Sequence, residues 1–153
     1  MFKFKTYVLN RMNMPFTIAF VRVDFDEMLI DALNQVVNDI DKYLQNVEEK
    51  FSPFLPDSLV SRHTDLGEEL QDAFFDLEYQ EVYSRSIIAK KETYGLFDPF
   101  FDGKYNPTGF VKGWVIENAF MKYIKPLIEN SIIEAGAING AGDMQVGTRL
   151  GSN

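Results

Sequence analysis

An α+β fold, a β-sheet with helices packed against it, is predicted by three stretches of the sequence. Phe16 to Phe25 is rich in β-formers, with apolar residues at both alternate sets of positions, the pattern of a central strand buried on both faces. From Leu29 onward, Leu29, Leu33, Val36, Ile40, Tyr43/Leu44 and Val47 recur at steps of three and four, which predicts an amphipathic helix ending near Lys50, with Asp26 as its N-cap. The tail from Ile132 to Gly147 alternates short apolar runs with glycine, which predicts two short strands around a tight Gly140-Ala-Gly-Asp143 turn.

The elements between these follow from local chemistry. Phe51-Ser-Pro-Phe-Leu-Pro-Asp-Ser58 carries two prolines and two serines, so the first helix stops and a structured loop follows. Leu66 to Tyr83 places Leu66, Leu70, Phe74 and Leu77 at helical spacing and predicts one or two helices. Thr93 to Trp114 gathers glycines, prolines and aromatics into a loop between two helical regions. Val111 to Ile124 is helical again, Val115, Ala119 and Tyr123 sharing one face, and Pro126 is expected to end or kink it. At Gly147 a strand is expected to begin with no following element, and the exposed end over Gly147–Asn153 invites pairing with another chain, a homodimer being the first form to test.

With 153 residues, the chain suits a single domain over 1–153. A hydrophobic fraction of 46% and a charged fraction of 25% match a globular core rather than disorder, and 14 Phe and 7 Tyr predict an aromatic one. The net charge of −8 argues against a nucleic-acid partner, because a phosphate backbone would be repelled. Having no Cys excludes disulfides and thiolate metal sites, so a bound metal would be held by oxygen. The N-terminus lacks the apolar run of a secretory signal, and no stretch approaches the ~20 apolar residues of a membrane span, so the sequence reads as soluble and cytoplasmic.

Several constellations could carry chemistry. Asp98, between Gly95 and Pro99, is either the cap of a turn or the edge of a pocket, the turn being the commoner use. Thr108 and Gly109 stand just ahead of a helix N-terminus, where free amides and the helix dipole favour phosphate, and Lys112 adds a positive charge. The alternative there is an N-cap threonine, a solvated lysine and a glycine chosen for packing. Gly140–Asp143 is a phosphate-approach loop or a hairpin turn, the hairpin being the simpler reading. His63, the single histidine, has Ser58 and Ser61 nearby but no third group, so a nucleophile–base pair is rejected in favour of a surface histidine.

In order along the chain, Met12-Asn-Met-Pro-Phe-Thr-Ile, Phe51-Ser-Pro-Phe-Leu-Pro-Asp-Ser, Tyr94-Gly-Leu-Phe-Asp-Pro, Asn106-Pro-Thr-Gly-Phe-Val-Lys-Gly-Trp-Val-Ile-Glu and Asn139-Gly-Ala-Gly-Asp-Met-Gln-Val-Gly resemble motifs of the ApbE family, the FAD:protein FMN transferases. The resemblance runs along nearly the whole chain but covers only the N-terminal half to two-thirds of a usual member, so the fold it implies is ApbE-like and truncated before its C-terminal part. It implies that FMN is passed from FAD to a threonine or serine hydroxyl of a target flavoprotein, with release of AMP and assistance by Mg²⁺. By motif, Met12 and Phe54 would line the flavin site, and Leu96, Phe97 and Asp98 would form a second FAD-contacting edge. Asn106 stands where aspartate is common, the backbone carbonyl of Gly109 would bind Mg²⁺, and Lys112 would lie by the nucleotide. The family's other metal ligands, in an Asp-Ala-Leu-Ser-Thr-like segment, have no counterpart here. The resemblance therefore also admits a catalytically inactive flavin-nucleotide binder.

Overall fold

The computed structural model describes residues 1–64, 75–140 and 142–149. Its element order is β1 (Lys3–Arg11), β2 (Met14–Arg22), α1 (Glu27–Phe51), α2 (Leu59–Thr64), α3 (Leu77–Glu92), α4 (Thr108–Ala119), a π-helical turn (Phe120–Ile124), α5 (Lys125–Glu129), β3 (Ala135–Gly140) and β4 (Asp143–Thr148). The chain divides into two compact units, one of Met1–Gln45 with Val115–Asn153 and one of Asn46–Trp114, with α1 and α4 contributing residues to both.

The first unit is built on a four-stranded antiparallel sheet in the order β1-β2-β3-β4. β1 was not apparent in the sequence: the face of Lys3, Lys5, Tyr7, Leu9 and Arg11 mixes charged and apolar residues, as an edge strand allows, and that of Phe4, Thr6, Val8 and Asn10 mixes apolar with polar ones, so neither period stands out. β2 corrects the expectation of a strand buried on both faces. Phe16, Ile18 and Phe20 are fully buried, whereas Thr17, Ala19 and Val21 on the other face are only half-buried. The predicted tail hairpin is present, Gly140 pairing with Asp143. The strand expected to begin at Gly147 instead begins at Asp143 and has β3 as its neighbour.

Asp26 caps α1 as expected, its Oδ1 accepting from the Leu29 N–H at 2.8 Å. Leu33, Ile40, Leu44 and Val47 are fully buried, and Val37 is buried where Val36 is half-buried. Two polar clamps join α1 to β1. Tyr7 donates to Asn34 Oδ1 at 2.6 Å, and the Arg11 guanidinium forks onto Asp41 through Nε at 2.8 Å and Nη2 at 3.0 Å.

Of the two outcomes expected at Pro126, an end or a kink, the helix does not end: helical structure continues to Glu129. Pro126 sits in the first turn of α5, where its missing N–H costs nothing, and the chain accommodates it by widening the preceding turn, with Lys125 N–H bonded to Phe120 C=O. The sheet meets this helical run closely. A β-carbon on Gly136 would stand 2.6 Å from Ile124 Cγ2, and one on Gly147 would stand 2.9 Å from Phe120 Cζ.

In the second unit, Phe51 stacks on Tyr79 with centroids 5.7 Å apart and meets Trp114 edge-on at 5.8 Å. Asp76 caps α3 by accepting from Tyr79 N–H, and it shares Lys50 with Glu78 at 2.9 and 2.8 Å. Of the helix expected over Leu66–Tyr83, Leu77 onward lies in α3, while Leu66, Leu70 and Phe74 fall outside the described residues.

Candidate functional site

The candidate site in the second unit starts from the end of α3. Tyr94 and Gly95 both take positive φ, 55° and 84°, and Gly95 N–H reaches back to Lys90 C=O at 2.9 Å, closing the helix. Thr93 Oγ1 donates to Ala89 C=O and accepts from Phe97 N–H at 3.0 Å, so the chain turns sharply and leaves Tyr94 and Leu96 in solvent. Phe97 is directed inward. Its ring lies 6.4 Å from that of Phe110, and its Cε1 lies 3.6 Å from where a β-carbon on Gly109 would stand. The segment Gly95–Asp98 and the first turn of α4 thus form one surface.

Asp98 shows the commoner of its two expected uses. Its Oδ1 accepts from Phe100 N–H at 2.9 Å and lies 3.4 Å from Lys90 Nζ, which also sits over the Phe100 ring. Asn106, not Thr108, supplies the cap of α4: its Oδ1 accepts from both the backbone N–H and the hydroxyl of Thr108. The carbonyl side of the Asn106 amide is therefore spoken for. The first bond inside the helix runs from Val111 N–H to Pro107 C=O, so the amides of Gly109 and Phe110 precede it and point out of the helix end. Gly109 is exposed, and Lys112, three residues on, is half-buried and neighbours it on one helix face.

Phe54 lies in the loop after α1, 78% exposed, with its N–H donated to Ser52 Oγ. Met12 belongs to the other unit, at the two-residue turn between β1 and β2, where it and Asn13 hold φ of 57° and 59°. Asparagine tolerates that conformation well and methionine does not, at roughly 1–2 kcal/mol per residue. The Asn139–Gly147 motif forms the β3–β4 hairpin of the same unit as Met12.

The fit to Mg²⁺ is poor. Among the described residues no three His, Cys, Asp or Glu side chains stand together as ligands. The Gly109 carbonyl lies within α4, where it is aimed at the N–H four residues on and retains one lone pair for a cation. A magnesium ion requires near-octahedral oxygen coordination, usually with carboxylates, and these residues do not provide it by themselves.

Ser58 and Ser61 have structural roles. Ser58 Oγ donates to Ser52 C=O and accepts from Ser61 N–H, and Ser61 Oγ donates to Pro53 C=O. His63 is not the surface residue expected. Its Nδ1 is 2.6 Å from Tyr79 Oη, and its ring packs within about 6 Å of Tyr79 and Tyr105. Burial lowers the His63 pKa, raises that of Tyr79, and pushes the Tyr105 hydroxyl up to about 12, so the phenols stay protonated, and the imidazole and the Tyr79 hydroxyl share one hydrogen bond whose direction follows the tautomer. Tyr105 also exchanges a hydrogen bond with Ser86 at 3.1 Å. Nothing in the spacing of these residues announces the cluster.

No family model matches the sequence, and no curated protein does. Solved structures do match the fold. The flavin transferase ApbE from Vibrio cholerae superposes with a TM-score of 0.70 at 13% identity, covering 95% of this chain and 60% of that one. The flavinyl transferase ApbE from Pseudomonas stutzeri, in its apo form, superposes with a TM-score of 0.67 at 11% identity, covering 95% and 58%. The chain spans about three-fifths of the length of these proteins, and over that span its fold is ApbE-like.

Proposed function

We propose that this chain is the flavin-nucleotide-handling part of an FAD:protein FMN transferase, acting on FAD and on a threonine or serine of a target flavoprotein. The observation that carries the reading is the packing of Phe97 against Gly109, which joins two segments assigned to FAD into one surface beside the N-terminus of α4. The amides of Gly109 and Phe110 and the charge of Lys112 suit a pyrophosphate there. Exposed Leu96 and Phe54 offer apolar surface that no protein group covers. In the reaction an acceptor hydroxyl oxygen attacks the FMN-side phosphorus, the bond to the AMP phosphate breaks, and the hydroxyl proton is lost. Mg²⁺, which the family resemblance implies, would need oxygen donors beyond the described residues. Incubation with FAD, Mg²⁺ and a flavoprotein acceptor domain should add the mass of FMN to the acceptor. No increment, with a full-length transferase working in parallel, would overturn transfer by this chain.

A second reading is flavin-nucleotide binding without transfer. It is favoured by Asp98, whose Oδ1 is already engaged by Phe100 and Lys90, and by Asn106, whose Oδ1 is engaged by Thr108. Quenching of flavin fluorescence without transfer selects this reading, and no quenching removes both.

A further inference from the structure

We propose that Arg85 is a further residue of the flavin-nucleotide site, where its guanidinium binds the pyrophosphate of FAD. The proposal rests on the flavin reading above and adds a residue that lies outside every motif quoted from the sequence. Glu81 and Arg85, four residues apart, share one face of α3, and Phe110 and Trp114, four residues apart, share one face of α4. The two faces meet residue by residue. Trp114 Nε1 donates to Glu81 Oε2 at 2.6 Å, and Arg85 Cζ stands over the Phe110 ring, 5.6 Å from its centroid. That ring is the one Phe97 meets at 6.4 Å, so Arg85 belongs to the surface formed by Gly95–Asp98 and the first turn of α4.

The placement of this arginine suits it to phosphate. A helical side chain leans toward the N-terminus of its helix, so the Phe110 ring and the guanidinium over it lie alongside the first turn of α4, where the Gly109 and Phe110 amides are left over by the helix. Stacking on the ring holds the planar guanidinium in place, which leaves less side-chain freedom to lose when it closes on a ligand. Among the described residues its polar contact is Nη1 with Glu81 Oε2 at 3.3 Å, so the hydrogens of Nη2 and Nε remain for two oxygens of a phosphate. Glu81 does not compete freely for them, because the same oxygen is held by Trp114. A chain with net charge −8 repels a pyrophosphate over most of its surface, so a cation with open donors, added to Lys112, governs whether the nucleotide stays.

Calorimetric titration of the whole chain with FAD, and with riboflavin, which has no phosphate, reads the contact. Arg85→Met keeps an apolar stem on the Phe110 ring and removes the donors. It should weaken FAD binding by about tenfold or more and leave riboflavin binding within about twofold. Arg85→Lys, which retains the charge without the fork, should fall between the parent and Arg85→Met. Both variants should match the far-UV spectrum and melting profile of the parent, because a half-exposed ion pair four residues apart on a helix adds little stability. FAD binding by Arg85→Met equal to that of the parent, or an equal loss for FAD and riboflavin, as from a residue that only packs, would overturn the proposal and leave the flavin reading standing. A parent chain that binds neither ligand would overturn the flavin reading and the proposal with it.

Discussion

The ring of Phe97 lies 3.6 Å from the position that a β-carbon on Gly109 would occupy, an ordinary van der Waals distance. One methyl therefore fits beside the ring, and a larger group must share its space with Phe97. Gly109→Ala should leave flavin binding unchanged and stabilise α4 by up to about 1 kcal/mol, because glycine gives up more backbone freedom in a helix. Gly109→Leu should displace Phe97 and weaken flavin quenching by about tenfold or more, with the far-UV spectrum intact. Equal binding by both variants would detach this contact from the flavin site.

Gly136 tests the close approach of sheet and helix. A β-carbon there would meet Ile124 Cγ2 at 2.6 Å, on a side chain with no exposure and little room to turn. Gly136→Ala should cost about 1–3 kcal/mol through overpacking, read from urea denaturation midpoints. The substitution Gly142→Ala puts no methyl into a neighbour, so any loss there would come from its φ of +85° alone.

Arg11 and Asp41 should govern the acid side of the stability profile. The hydrogen bonds and charge of Arg11 hold the Asp41 pKa below its ordinary value, against the opposing effect of burial. Its folded pKa is thus below its unfolded one. The contribution is present above the unfolded value near 4 and is lost as pH falls through the folded value. Arg11→Met should cost about 1 kcal/mol at pH 7, the pair being partly exposed, and should lessen the dependence of stability on pH below about 4.

His63 should act nearer neutrality. Burial lowers its folded pKa, so between that value and the unfolded value of about 6.5 the unfolded chain binds more protons and stability falls as pH falls. Protonation also makes both ring nitrogens donors, so Nδ1 can then only donate to Tyr79 Oη. Thermal melts should drop between pH 7.5 and pH 5, and His63→Gln should flatten that part of the profile. A profile unchanged by the substitution would assign the drop to other groups.

The sequence by itself determined what depends on neighbours within a few residues. The apolar spacing from Leu29 to Val47 defines α1, Asp26 caps it, and the glycines at 140 and 142 place the last hairpin, because helical and turn geometry is set over three or four positions. The order of short motifs also pointed to an ApbE-like fold, although identity to the solved structures is only 11–13%. Tertiary structure alone decided which face of β2 is buried, since Thr17, Ala19 and Val21 are as compatible with a core as Phe16, Ile18 and Phe20 until helices pack on one side. It decided that Asn106 rather than Thr108 caps α4, because two adjacent hydrogen-bonding side chains can each serve and the path of the backbone selects one. It also gathered His63, Tyr79 and Tyr105 into one aromatic cluster and set Phe97 against Gly109. These contacts join residues 12 to 42 positions apart, and no local periodicity encodes the folding back of the chain that makes them.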